Sequence, residues 1–322
     1  MPVTKDFKTI DEQILGLESR NLKFKNKEKA SQILTKYNYF DVINGFESLL
    51  LKTSKPTKKY ENVYFEDFTD LFFFDMKLKE YTLFKIFDIE SRLRTSIAYN
   101  FAGTYCTTSA DTMNYTNPAY YKAPNPTDTH LTNIFKNFDL FRPTLYYPNG
   151  SIRKSSFISE LKKDKHYVKQ YQDPPFWVTI KALPLGSLYY TFVFLDDTVK
   201  EKVLKDFGLD LGDALAFEQA LFILKEMRNQ CAHLELITRF KLKNKRGFSF
   251  NDVINRAGCL THSGSIFYID VMKIFKLFGG ISDIKRLIFN FYFRMCLKGR
   301  KQIADKAISK MGRKNIRIWM QL

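Results

Sequence analysis

Arg228, Asn229 and His233 stand together in EMRNQCAHLE (226–235), inside an otherwise apolar helical pattern. An arginine offers a phosphate a planar fork of donors. A histidine is the side chain best suited to moving protons near neutral pH, and an asparagine can bond a phosphate oxygen or orient an imidazole. Together these are the parts for cutting RNA without a metal. One histidine removes the 2'-hydroxyl proton, and that oxygen attacks the adjacent phosphorus. A second histidine or a water protonates the departing 5'-oxygen while the guanidinium stabilises the extra phosphoryl charge. The need for a 2'-hydroxyl selects RNA over DNA, and the products would be a 2',3'-cyclic phosphate and a 5'-hydroxyl. Spacing alone is a weak signal, since Arg and His five apart arise often by chance. The structural alternative is that Arg228 pairs with Glu90 or another acidic residue and His233 is a satisfied core histidine.

The helix that must carry the trio is expected over 213–240, with Asp213 as N-cap. With Phe217 at zero and about 100° per residue, Leu221 falls at about 40°, Leu224 at about 340°, Arg228 at about 20° and Cys231 at about 320°. Arg228 therefore reads as the middle of the apolar stripe, where a guanidinium is costly unless paired. Asn229 and His233 share a neighbouring face with Phe222. On a straight helix Arg228 and His233 diverge by about 140°, so one helix does not make a compact site. Two such helices, antiparallel across a two-fold, would bring two arginines and two histidines around one groove. A homodimer is the expectation.

The remaining elements read as helical. Periodicity supports helices over 8–20 and 26–38, then a buried aromatic cluster from Tyr37 to Leu51 and a solvated connection over 52–62. In 65–105, Thr69 suits the cap of one helix with Phe72, Phe73 and Met76 as core. A longer helix is expected from about Lys79 to Phe101, packing Leu83, Ile86, Phe87, Leu93, Ile97 and Tyr99. Glu90 and Arg94, four apart on it, form a candidate support pair, or a surface pair worth a few tenths of a kcal/mol. Residues 107–130 form a long irregular excursion. VTIKALPLGSLYYTFVFL (178–195) has strand-like propensity, but Pro184 and Gly186 favour two successive helices. Further helices are expected over 196–209, 266–278 and 284–297, with a short amphipathic tail. The fold class is all-α, with residues 1–240 as a helical domain and 241–322 as a basic helical extension packed on it.

Charge points to an anionic partner. The formal net charge is +17, and residues 241–322 hold 18 Lys/Arg against 4 Asp/Glu. Within that quarter Lys241, Lys243, Lys245, Arg246, Lys298, Arg300, Lys301, Arg313, Lys314 and Arg317 are the candidate RNA contacts. Composition, at 45% hydrophobic and 16% aromatic, implies an ordered core rather than disorder. Four cysteines without a CxxC pair fit a reducing cytoplasm, with Cys231 a small core residue. His130, His166 and His262 are isolated, so neither a metal site nor a cofactor is expected. The start has no apolar signal region, and no run approaches 18 uncharged apolar residues, so stable membrane insertion is not expected.

Five segments carry a family resemblance: 11–34, KYNYFDVINGF (36–46), FDIESRLRTSIAYNFA (87–102), PPFWVTIKALPLGSL (174–188) and MRNQCAHLE (227–235). In order and content the sequence resembles the Abi-like abortive-infection proteins of bacteria (AbiD/AbiF type), whose fold belongs to the HEPN superfamily of all-helical ribonucleases. The resemblance covers roughly residues 8–240. It implies a HEPN-like helical bundle with additional N-terminal and basic C-terminal helices. It also implies Arg228 and His233 as the catalytic pair of the R-x4-H signature, with Asn229 beside them. Dimerisation, a role in phage defence or a toxin–antitoxin system, and restraint by a small RNA or protein antitoxin follow from the same likeness. Many relatives read CAHH-x-R, whereas this chain reads CAHLELITR; Leu234 replaces the second histidine, and Arg239 is the nearest replacement for the arginine.

Three functions compete on these residues. A metal-independent endoribonuclease loses activity with His233 and keeps it in EDTA. A non-catalytic binder of structured RNA is indifferent to His233. A membrane-surface toxin acting through the basic tail would bind and leak liposomes.

Overall fold

The computed structural model describes residues 6–54, 57–244, 249–259 and 264–322. The chain is predominantly helical, and its organising element is a single helix, Phe65–Tyr105, of 41 residues. Sequence periodicity suggested two helices here. No proline or glycine occurs between residues 65 and 102, so nothing interrupts the backbone ladder. Thr69 lies inside this helix, its hydroxyl donating back to the Glu66 carbonyl at 3.0 Å. The cap is instead made by Asp67, whose carboxylate accepts the Tyr64 backbone N–H at 2.8 Å.

One face of the long helix is fully buried through Phe68, Leu71, Leu78, Thr82, Ile86, Leu93 and Ile97. Against it pack the helices Asp197–Asp206, Ala214–Ala232 and Ser282–Leu297. Asp206 reaches the long helix by accepting from Ser96 Oγ at 2.6 Å and Asn100 Nδ2 at 2.8 Å. Four residues expected to pack are exposed: Phe73, Met76, Phe87 and Tyr99. They lie on the sides of a rod that is buried along only one stripe.

The N-terminal helices form at Ile10–Glu18 and Lys27–Lys36, as the spacing predicts. Residues 40–50 then make a π-turn (Phe40–Asn44) and a short helix, Glu47–Leu50. The connection after them is not merely solvated charge. Leu51–Thr53 pairs antiparallel with Lys59–Tyr60, and Lys58 pairs with buried Glu47, which also accepts from Tyr60 Oη at 3.0 Å. The excursion after Tyr105 is a run of short 3-10 turns that buries Tyr115 and Tyr121. The PLGSL region is helical, Phe176–Thr179 and Leu185–Phe194, as Pro184 and Gly186 suggested.

The C-terminal helices share the core. Phe291 stacks on Phe74 with centroids 3.9 Å apart, the Tyr268 and Thr82 hydroxyls lie 2.6 Å apart, and Arg92 donates to the Phe278 carbonyl at 2.6 Å. A short helix at Asn251–Ala257, which periodicity did not signal, packs on the Ala214–Ala232 helix. Among the described residues the only strands are three two-stranded antiparallel pairs. No helix is long and apolar enough to cross a membrane among the described residues.

Candidate functional site

The motif helix is Ala214–Ala232, eight residues shorter than its expected C-terminal limit at 240. Its buried face is Ala216, Phe217, Ala220, Leu221, Ile223, Leu224, Met227 and Cys231. On the helical wheel that face centres near 300° rather than zero. Arg228 therefore stands at its edge, half-buried, and not in the middle of the stripe. This resolves the cost of a buried guanidinium, because the head reaches solvent beside an apolar wall. The pairing with Glu90 does not occur: Glu90 is buried and pairs with Arg94, which also donates to the Leu183 carbonyl at 3.1 Å. Arg228 itself has no hydrogen-bonding or ionic partner among the described residues. Cys231 is core, and burial pushes its thiol up to about 12, out of reach as a nucleophile.

His233 is the C-cap, exposed to solvent, rather than a core histidine. The chain turns off the helix through Leu234, which has φ 59°. The Leu234 N–H bonds the Cys231 carbonyl at 3.1 Å and the Glu235 N–H bonds the Gln230 carbonyl at 3.0 Å. That double bond pattern closes the helix as glycine ordinarily does. A leucine holds the left-handed conformation only when its surroundings over-determine it.

Those surroundings come from the long helix. Lys79 Nζ donates to the Leu234 carbonyl at 2.9 Å and lies 2.8 Å from Asp75 Oδ2. Asp75 Oδ1 accepts the Ile237 backbone N–H at 2.9 Å. Asp75 and Lys79 are both buried, and burial raises the Asp75 carboxyl above its ordinary value against the opposing pull of Lys79. Gln230 Nε2 bonds the Leu236 carbonyl at 3.0 Å, and Arg239 donates to the carbonyls of Asn44 and Gly45. Arg239 thus fastens the exit segment to the π-turn. The turn bearing His233 is held from three sides.

Arg228 and Asn229 line a common cleft of about 520 Å³ with Lys225, Asn133, Asn137 and Ser187. Its far wall is Pro184–Ser187, the start of the Leu185–Phe194 helix. Lys225 pairs with Glu226 at 3.0 Å and lies over the Phe222 ring. His233 is not among the cleft-lining residues. One chain therefore brings Arg228 and Asn229 together and presents His233 at the adjoining helix end.

Residues 32–237, well over half of the 322, match the family described as Abi-like protein. The chain belongs to the Abi-like family. The matched region opens inside the second helix and closes three residues after Leu234, so it contains the whole motif helix and its exit turn. No curated protein and no solved structure matches the chain.

The basic residues of this Abi-like chain divide by their partners. Lys298 pairs with Asp70 at 2.6 Å, Arg300 with Asp67 at 3.1 Å and Lys301 with Asp305 at 2.6 Å. Lys243, Lys314 and Arg317 are exposed without a carboxylate partner among the described residues, and Lys241 lies over the Phe267 ring. Arg313 donates to the Gly312 carbonyl at 3.4 Å. Lys245, Arg246 and His262 lie outside the described residues. No three His, Cys, Asp or Glu side chains cluster as a metal site among the described residues. Sequence reasoning missed Asp75 and Lys79. Their i, i+4 spacing on an apolar helix was the available signal.

Proposed function

We propose that this Abi-like chain is a metal-independent endoribonuclease of the HEPN type, of the AbiD/AbiF kind, acting in phage defence or as a toxin in the bacterial cytoplasm. Arg228 and His233 are its catalytic pair, and Asn229 assists. The reading is carried by one observation: a guanidinium without a partner among the described residues and an exposed imidazole flank the end of one helix, whose exit turn is held by a buried ion pair.

The arrangement in one chain separates the two groups, so the working site is assembled from two copies related by a two-fold. His233 of one chain takes the 2'-hydroxyl proton. The new 2'-O–P bond forms as the P–O5' bond breaks, and the departing oxygen takes a proton from the second His233 or water. Arg228 bonds the phosphoryl oxygens as their charge grows. A small RNA or a protein antitoxin covers the site at rest. A single incubation tests this: purified chain with labelled RNA in EDTA, beside Arg228→Ala and His233→Ala. Cleavage by the parent alone, leaving a 2',3'-cyclic phosphate, supports the reading. Equal cleavage by all three chains, or its abolition by EDTA, removes it.

The second reading is a non-catalytic RNA-binding protein. Lys243, Lys314 and Arg317, exposed and without an ion-paired carboxylate among the described residues, favour it. It is distinguished by tight RNA binding that is indifferent to His233→Ala and forms no product.

A further inference from the structure

A second groove, of about 960 Å³, lies between the C-terminal half of the long helix and the Phe176–Thr179 helix. Tyr99 stands on one wall and Trp177 on the other, 76% and 57% exposed. An exposed tyrosine and an exposed tryptophan lining one groove offer a ligand two flat faces. Lys181 and Lys202 line the same groove. Lys181 lies over the Tyr167 ring and Lys202 donates to Thr104 Oγ1 at 2.9 Å, and neither pairs with a carboxylate among the described residues. No acidic side chain among the described residues lines the groove. Cys106 sits at its end, where burial raises its thiol and disfavours the reactive thiolate.

From these walls we infer that the groove holds an unpaired nucleotide, its base against Trp177 and Tyr99 and its phosphate on Lys181 and Lys202. Every base has a flat face for stacking, and aromatic rings with adjacent cations are how single strands are gripped. A duplex buries those faces. The groove also adjoins the Arg228 cleft: Lys181 lines one and Pro184 the other, at most about 11 Å of chain apart. The inference rests on the ribonuclease reading only for where the strand continues. The binding itself is independent of cleavage.

The chain carries its own probe. Of the two tryptophans, Trp319 is buried and donates to the Arg313 carbonyl at 2.8 Å, which leaves Trp177 as the exposed fluorophore. In the His233→Ala chain, a short single-stranded 2'-O-methyl oligonucleotide is titrated against tryptophan emission, and a fluorescein-labelled copy is followed by anisotropy. AMP and a 2'-O-methyl duplex are run alongside. Emission quenched by the single strand, with anisotropy affinity falling roughly 5- to 150-fold in Trp177→Ala, supports the site. Gly103 supplies a variant that keeps the fold, because a side chain there meets open space and glycine is a poor helix former. Gly103→Phe should fill the groove and weaken binding to a similar degree with the melting temperature maintained. Quenching by AMP as tight as by the strand identifies a free nucleotide as the ligand, and tighter binding of the strand identifies RNA. No quenching by either, or single-strand affinity unchanged in both Trp177→Ala and Gly103→Phe, overturns the inference. Absence of cleavage by the parent chain beside intact binding would count against the nuclease reading alone.

Discussion

Leu234 concentrates the residue-scale physics of the site. It takes a conformation that costs a leucine about 1–2 kcal/mol, and it is 66% exposed, so its side chain returns little by packing. Leu234→Gly should therefore raise stability by about 1 kcal/mol, less than the full strain because glycine also frees the unfolded chain. Thermal unfolding of the two chains checks this, and a lower melting temperature would show that the leucine packs against something essential. His233→Ala, at an exposed position without side-chain partners among the described residues, should change stability by no more than about 0.5 kcal/mol. Any loss of cleavage in it is then chemical. The types and spacing of Arg228, Asn229 and His233 were legible in the sequence. The end of their helix was not, because HLELITR contains neither glycine nor proline to mark it.

At the scale of elements, the long helix acts as the anvil on which the motif turn is set. Lys79→Met would strand the buried Asp75 carboxylate and should cost about 3–5 kcal/mol, whereas Lys298→Met, breaking a half-exposed pair with Asp70, should cost no more than about 1 kcal/mol. Denaturant titration of both separates a positioning pair from a surface one; equal losses would contradict the assignment. Gly45 supplies a second check from the other side. A Cβ there would meet the Asp41 carbonyl oxygen at 2.5 Å and Leu236 Cδ1 at 2.9 Å. Gly45→Ala should destabilise by about 1–3 kcal/mol and weaken cleavage as the exit segment shifts. Helical periodicity revealed most of these elements, but not the fusion of two expected helices into one. Periodicity reports a buried stripe. It says nothing of which residues lie where that stripe drifts off the core, and so it assigns Phe87 and Tyr99, both exposed, to the packed face.

For the whole molecule, the decisive feature is how unevenly its charge is spent. The last quarter holds most of the net charge, as the sequence shows, yet Lys298, Arg300 and Lys301 are paired with Asp70, Asp67 and Asp305. Sequence cannot reveal this, since each partner but Asp305 lies more than two hundred residues away. Replacing Lys243, Lys314 or Arg317 by Ala should each lower the salt slope of RNA binding by about 1, and Lys298→Ala should lower it less. Binding measured across a salt series checks the ranking; equal slopes would mean that ion pairing on the surface does not decide which cations meet RNA.

The two-copy site is tested most directly by mixing two dead chains. Arg228→Ala and His233→Ala are unfolded together, refolded and assayed on RNA, with the mass of the assembly recorded. If Arg228 of one copy works with His233 of the other, each mixed dimer keeps one such Arg–His pair and the mixture regains cleavage that neither chain shows alone. Mixed dimers that form but cut no RNA, beside a parent that does, would contradict it.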